Sequence, residues 1–174
     1  MGRTRRTFLG AAAAAAIAGA AGCGGARGTW RFFSGQEART LDALLQWIIP
    51  DDGSPGARAT GVIHYIDRQL SARFREHRKT YRDGLAAAGR LAGGDFAGAP
   101  PERQQAALRQ LERGAATRSF FDLLVAHAMQ GFYGNPRHGG NRDFASWRML
   151  GVPPLPVRGQ AQYDFTTGGG HAKS

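Results

Sequence analysis

The chain has a single cysteine, Cys23, and with it goes a whole class of chemistry. No internal disulfide, no thiolate-ligated zinc or iron–sulfur centre and no C-x-x-C-H haem attachment can be built. Also missing are an H-E-x-x-H zinc helix, a G-x-S-x-G nucleophile elbow, a Walker loop and a G-x-G-x-x-G turn after a strand. The five histidines are scattered instead of clustered at metal spacing. Asp51-Asp52-Gly53 lacks the D-x-D-x-D-G spacing of a calcium loop and reads as a helix stop and turn. These absences argue against an independent enzyme.

Long apolar runs are missing too. The nearest, Ala11 to Ala21, is too short and too weakly apolar to span a bilayer. It follows Thr4-Arg5-Arg6-Thr7-Phe8-Leu9, and the two together read residues 1–23 as a twin-arginine export leader, of the type that carries folded proteins. The mature chain, 24–174, is then expected in the periplasm or on the outer face of the cytoplasmic membrane. Two ends fit the leader: a lipobox-like Ala20-Ala21-Gly22-Cys23, which would leave Cys23 as a lipidated first residue, or an ordinary site at Ala18-Gly19-Ala20.

What is present suits one domain. The 174 residues are 42% hydrophobic and 21% charged, with 23 basic against 13 acidic side chains, three of the arginines lying in the leader. In an exported chain a basic balance points to anionic lipid or an acidic protein surface and away from nucleic acid.

The apolar spacing is helical throughout, so the expected fold is all-α: a small bundle of about five helices with a long irregular C-terminal arm from about residue 131. Ser34 and Glu37 form a capping box ahead of Ala38, Leu41, Leu44, Leu45 and Ile48, a helix stopped at Pro50. A second run from Thr60-Gly61 repeats Val62, Ile63, Ile66, Leu70 and Phe74 at three and four. It is expected to continue or kink through Tyr81, Leu85 and Leu91 to Gly93-Gly94, with Arg68, Arg73, Arg75 and Arg78 on a solvated face or against a membrane or partner. Asp95 to Pro100 is a linker, and Pro101 and Glu102 open a short helix carrying Ala107, Leu108 and Leu111. Phe120, Phe121, Leu124, Val125, Ala128 and Phe132 give the broadest apolar stripe, that of a central helix. His127 lies on it as a packed histidine, and His64 and His77 read as surface or packing residues.

That helix delivers the stretch on which the reading turns, Gly131 to Gly151. Its glycines at 131, 134, 139, 140 and 151, the Asn135-Pro136 turn signal and the anchor types Tyr133, Arg137, Arg142 and Trp147 follow no helical or strand period. The composition fits an irregular surface loop with one buried Trp, or a surface built for a partner. Under the second reading Tyr133, Asn135, Pro136, Arg137, Gly139, Gly140, Asn141, Arg142 and Trp147 form the interface. A short helical turn is expected around Phe144 to Leu150, extended chain at Pro153-Pro154-Leu155-Pro156, and an arm that gains its order on a partner.

Several of these residues carry a resemblance. Ile49-Pro50-Asp51 with Pro55-Gly56-Ala57 and Gly61-Val62, Tyr65-Ile66-Asp67, Gly131-Phe132-Tyr133-Gly134-Asn135-Pro136-Arg137, Gly139-Gly140-Asn141-Arg142, Trp147 and Leu150-Gly151, behind the twin-arginine leader, resemble the gluconate 2-dehydrogenase subunit 3 family over essentially the whole chain. The resemblance implies a small subunit of an exported, membrane-associated dehydrogenase. Its large subunit carries FAD, oxidises a sugar or sugar acid, and passes electrons to a multihaem cytochrome c or to quinone. The small subunit binds no cofactor or metal and has no catalytic residue; it lends its partner the export signal and stays docked. His138 stands where the family commonly has Tyr. Two rivals stay open: a stand-alone periplasmic oxidoreductase or metal protein using His127 and His138, and a lipid-anchored scaffold.

Overall fold

The computed structural model describes residues 30–152, so the leader, Cys23, the 153–156 prolines and the glycine-rich end lie outside the described residues. Seven α-helices and no strand are found among the described residues: α1 Gly35–Ile48, α2 Ala57–Thr60, α3 Val62–Ser71, α4 Arg78–Ala92, α5 Pro101–Arg113, α6 Arg118–Tyr133 and α7 Ala145–Met149. The all-α expectation holds. Five of the helices have ten or more residues, the number expected; α2 and α7 are short additions, one a turn between glycines and the other the turn foreseen near Phe144.

Local chemistry sets most of the boundaries. At α1 the capping box is complete: Ser34 Oγ accepts from the Glu37 N–H, and the Glu37 carboxylate accepts from the Ser34 N–H at 2.8 Å. After Pro50, Asp51 Oδ1 accepts from the Gly56 N–H at 2.5 Å, the turn duty read for that Asp pair. Pro101 occupies the first turn of α5, and Gly93, at φ 93°, closes α4.

The run from residue 60 to 92 is a break between two helices. α3 stops at Ser71, and a 3-10 turn, Arg75–His77, re-aims the chain into α4. Phe74 therefore lies in the connection. Arginine chemistry makes the break affordable: Arg78 Nε donates to the Leu70 carbonyl at 2.7 Å and Arg75 Nε to that of Ser71 at 3.1 Å, supplying donors to carbonyls the helix end leaves open. Arg78 and Arg82 also lie over the Phe32 ring, 5.3 and 5.1 Å from its centre. Arg75 and Arg82 remain exposed while they make these contacts, and Arg78 is half-buried.

The core gathers one face from each long helix: Leu41, Leu44 and Leu45 from α1, Val62, Ile66 and Leu70 from α3, Tyr81 and Leu85 from α4, Leu111 from α5, and Phe120, Leu124 and Phe132 from α6. α4 and α6 approach closely because Gly84 has no side chain. A Cβ there would fall 2.0 Å from the Phe120 ring. Among the described residues no helix is long and apolar enough to cross a membrane.

Candidate functional site: the loop after α6 and its flanks

The last turn of α6 brings Gly131 against the ring of Tyr65 on α3, and the chain then folds back over that contact. Asn135 Oδ1 accepts from the Arg137 N–H at 3.0 Å and so starts a 3-10 turn, Pro136–His138. Gly139, at φ 106°, passes over the His64 carbonyl, and Gly140 crosses Gly131. Asn141 is fully buried and ties the loop's two ends together: its Nδ2 donates to the Gly134 carbonyl and its Oδ1 accepts from the Ser146 N–H, both at 3.0 Å. Trp147 Nε1 donates to the Tyr133 carbonyl at 2.7 Å, and Arg68 Nη1 reaches from α3 to the Arg137 carbonyl at 2.7 Å.

The expectation of an arm ordered only on a partner is therefore corrected as far as residue 152. The chain's own glycine contacts and side-chain hydrogen bonds order it, because buried backbone groups need partners and the loop carries them within itself. Of the nine residues read as interface, Tyr133, Arg137 and Arg142 are exposed, while Asn135, Pro136, Gly139 and Trp147 are half-buried. Gly140 and Asn141 are buried, and their bonds and contacts are spent on holding the loop. Beside the exposed ones lies an apolar set that the sequence reading did not assign: Met129, Met149, Leu150 and Val152 join Tyr133 as the exposed large hydrophobic residues of the described chain. Met129, Tyr133 and Met149 rim a recess of about 330 Å³ whose other wall is Ile48, Ile49 and Pro55.

On the other side of Tyr133 a larger recess, about 590 Å³, is walled by Tyr65, Arg73, Phe74, Gln130 and His138. Tyr65 Oη donates to Gln130 Oε1 at 2.9 Å, and burial raises the Tyr65 phenol above its ordinary value. His138 accepts from Arg137 Nε at 3.1 Å, and partial burial followed by the charges of Arg137 and Arg68 lowers its proton affinity. It is a neutral acceptor.

His127 has different company. It is buried, with Nδ1 at 3.0 Å from Tyr81 Oη, and its ring is stacked between Phe74 at 4.7 Å and Tyr81 at 5.8 Å, with His77 tilted beside it. Burial first, then His77, pushes His127 down to about 4, while burial drives the fully enclosed Tyr81 phenol up. The reading that joined His127 to His138 gains nothing from this placement: one is in an aromatic stack, the other on the loop. No group of three His, Cys, Asp or Glu side chains among the described residues is placed to hold a metal ion.

One carboxylate, named in the sequence only within Tyr65-Ile66-Asp67, has a structural role that the sequence reading did not assign. Asp67 on α3 is buried, and its two oxygens accept from the N–H groups of Arg31, Phe32 and Phe33 at 2.8, 2.9 and 3.2 Å, pinning the segment before α1. A signal was available, since Asp67 sits four residues after Ile63 and three before Leu70, on the buried stripe.

The family described as gluconate 2-dehydrogenase subunit 3 matches the chain over residues 35–154, from the first residue of α1 to just past the loop, and the chain belongs to that family. No curated protein and no solved structure matches it.

Proposed function

We propose that this member of the gluconate 2-dehydrogenase subunit 3 family is the non-catalytic small subunit of an exported, membrane-associated sugar or sugar-acid dehydrogenase, which it escorts and stabilises. The catalytic subunit carries FAD and hands electrons to a haem c subunit or to quinone. The twin-arginine leader serves both chains: a flavoprotein that acquires its cofactor in the cytoplasm must cross the membrane folded, and a docked small subunit can supply the address. Cys23, lipidated or removed with the leader, decides whether a lipid anchor holds the complex on the outer face of the membrane.

The observation that carries this reading is a set of exposed large hydrophobic side chains, Met129 and Tyr133 from α6 and Met149, Leu150 and Val152 at the end of α7 and just after it, of which Met129, Tyr133 and Met149 rim one recess. Such side chains, with an exposed Arg137 and a half-buried Trp147 in the loop that follows α6, have the make-up of an interface centre. The loop's internal bonds present them in a fixed arrangement, which lowers the entropic cost of docking.

The test is recovery of the tagged chain from its native envelope fraction, with a flavin spectrum of what accompanies it. A flavoprotein should co-purify, should stay in the cytoplasm when this chain is deleted, and should be lost from a Leu150→Glu or Trp147→Ala variant that melts like wild type. A flavin-free chain recovered alone, or full recovery of the flavoprotein by both variants, overturns the proposal.

A further inference from the structure

The loop contributes one side chain to a separate recess lined by residues of α1 and α3. Arg142 sits in a backbone that is costly to make: Asn141, Asp143 and Phe144 have φ of 44°, 54° and 56°, all left-handed and none of them glycine. Such conformations are disfavoured for residues with a Cβ and persist where the surrounding structure enforces them. Their result is to lay the Arg142 guanidinium beside Gly61, where a Cβ would stand only 3.3 Å from Nη2, at the mouth of a cavity of about 390 Å³.

The cavity is cationic and has an apolar wall. Arg39, Arg58 and Arg142 line it together with Trp30, Ile63 and His64. Its one carboxylate, Asp42, is already bound by Arg58 Nε at 2.9 Å and Nη2 at 2.5 Å. Arg39 donates to the neutral Gln36 amide, and Arg142 takes part in none of the ion pairs found among the described residues. Trp30 stacks on His64 at 5.0 Å and 20°, giving a flat apolar floor. Burial and the neighbouring Arg142 charge lower the proton affinity of His64, so the positive charge of the recess belongs to its arginines.

We propose that this recess is a carboxylate-binding site that receives an acidic side chain, Glu or Asp, from a partner polypeptide, with Arg142 and Arg39 clasping the carboxylate and the Trp30–His64 stack packing its stem. The identity of that partner as the flavoprotein rests on the function proposed above; the carboxylate chemistry does not. Arg39 and Arg142, which form no ion pair among the described residues, supply the charge complementarity, and the planar guanidinium fork fits a carboxylate with two parallel bonds. The apolar floor favours a carboxylate that arrives on a carbon stem over a bare hydrated anion.

The test uses the isolated full-length chain at low salt, titrated with the blocked peptide acetyl-Gly-Leu-Glu-Leu-Gly-amide, with its Gln-for-Glu twin, and with inorganic phosphate, while NMR follows the Trp30 indole N–H and the Arg142 Nε–H. The Glu peptide should shift both signals saturably and bind about tenfold tighter than the Gln twin, the worth of a charge-assisted bidentate pair. Arg142→Gln should erase that preference and Arg142→Lys restore part of it, with thermal melts checking that both variants fold. Equal binding of the two peptides, a preference that survives Arg142→Gln, or saturation by phosphate with no response to the Glu peptide overturns the proposal. No flavoprotein enters the titration, so it stands or falls apart from the docking reading.

Discussion

Gly140 lies on the backbone of Gly131: a Cβ on Gly140 would fall 2.1 Å from the Gly131 carbonyl oxygen. No other residue fits there, since the obstacle is main chain of α6 and cannot rotate away. This crossing closes the loop on α6, and the Asn141 hydrogen bonds and the Trp147 anchor follow from it. Gly140→Ala should therefore cost about 1–3 kcal/mol, the range for forcing a group into a filled site. A melting temperature unchanged within a degree would contradict the crossing. The same variant should lose the partner, because the exposed Met149, Leu150 and Val152 follow the loop.

Asp67 governs the segment that leads into α1. Three backbone N–H groups from Arg31 to Phe33 converge on one buried carboxylate. Asp67→Ala should destabilise by about 2–4 kcal/mol, less than three orphaned donors would cost in full because the segment can detach and hydrate. Hydrogen exchange at Phe32 and Phe33 checks this: protection there should fall well below that of α6. Asp67→Asn should cost less, since one oxygen is kept.

Acid should weaken the fold through His127. The group titrates at about 4 when folded, against an ordinary value of 6.5 in the unfolded chain, because its buried imidazole is costly to charge. Between these limits the unfolded state holds more protons, so stability falls as the pH drops from about 6.5 and the loss levels off below about 4, at a total on the order of 3 kcal/mol. His127→Gln should start less stable and show a flatter dependence between pH 6.5 and 4. An unchanged slope in the variant would assign the acid sensitivity to another group.

Much of the fold was legible because its signals are local. The Ser34–Glu37 box, the Pro50 stop, Pro101 in a first turn and the Phe120 to Phe132 stripe each act within one or two helical turns, and helix boundaries follow from such short-range chemistry. That the run could kink before Tyr81 was legible, but not that α3 ends at Ser71, because apolar spacing continues across it to Phe74. What ends α3 is a pair of arginine side chains reaching back to its carbonyls, a contact no periodicity reports.

The candidate site divides along the same line. The sequence by itself determined that no continuous helical or strand period runs through residues 131–151, with a short helical turn near Phe144, since glycine spacing is read one position at a time. It also determined the all-helical class and the family likeness. Only the tertiary structure decided that Asn141 and Gly140 turn inward while Tyr133 and Leu150 face out, and that His127 pairs with Tyr81 in place of His138. It alone placed Arg142 beside Arg39 and Trp30, residues more than a hundred positions away. Each of these depends on how α1, α3, α4 and α6 cross, and the crossings of α6 with α4 and α3 are set by which side chains are absent, at Gly84 and Gly131, as much as by those present.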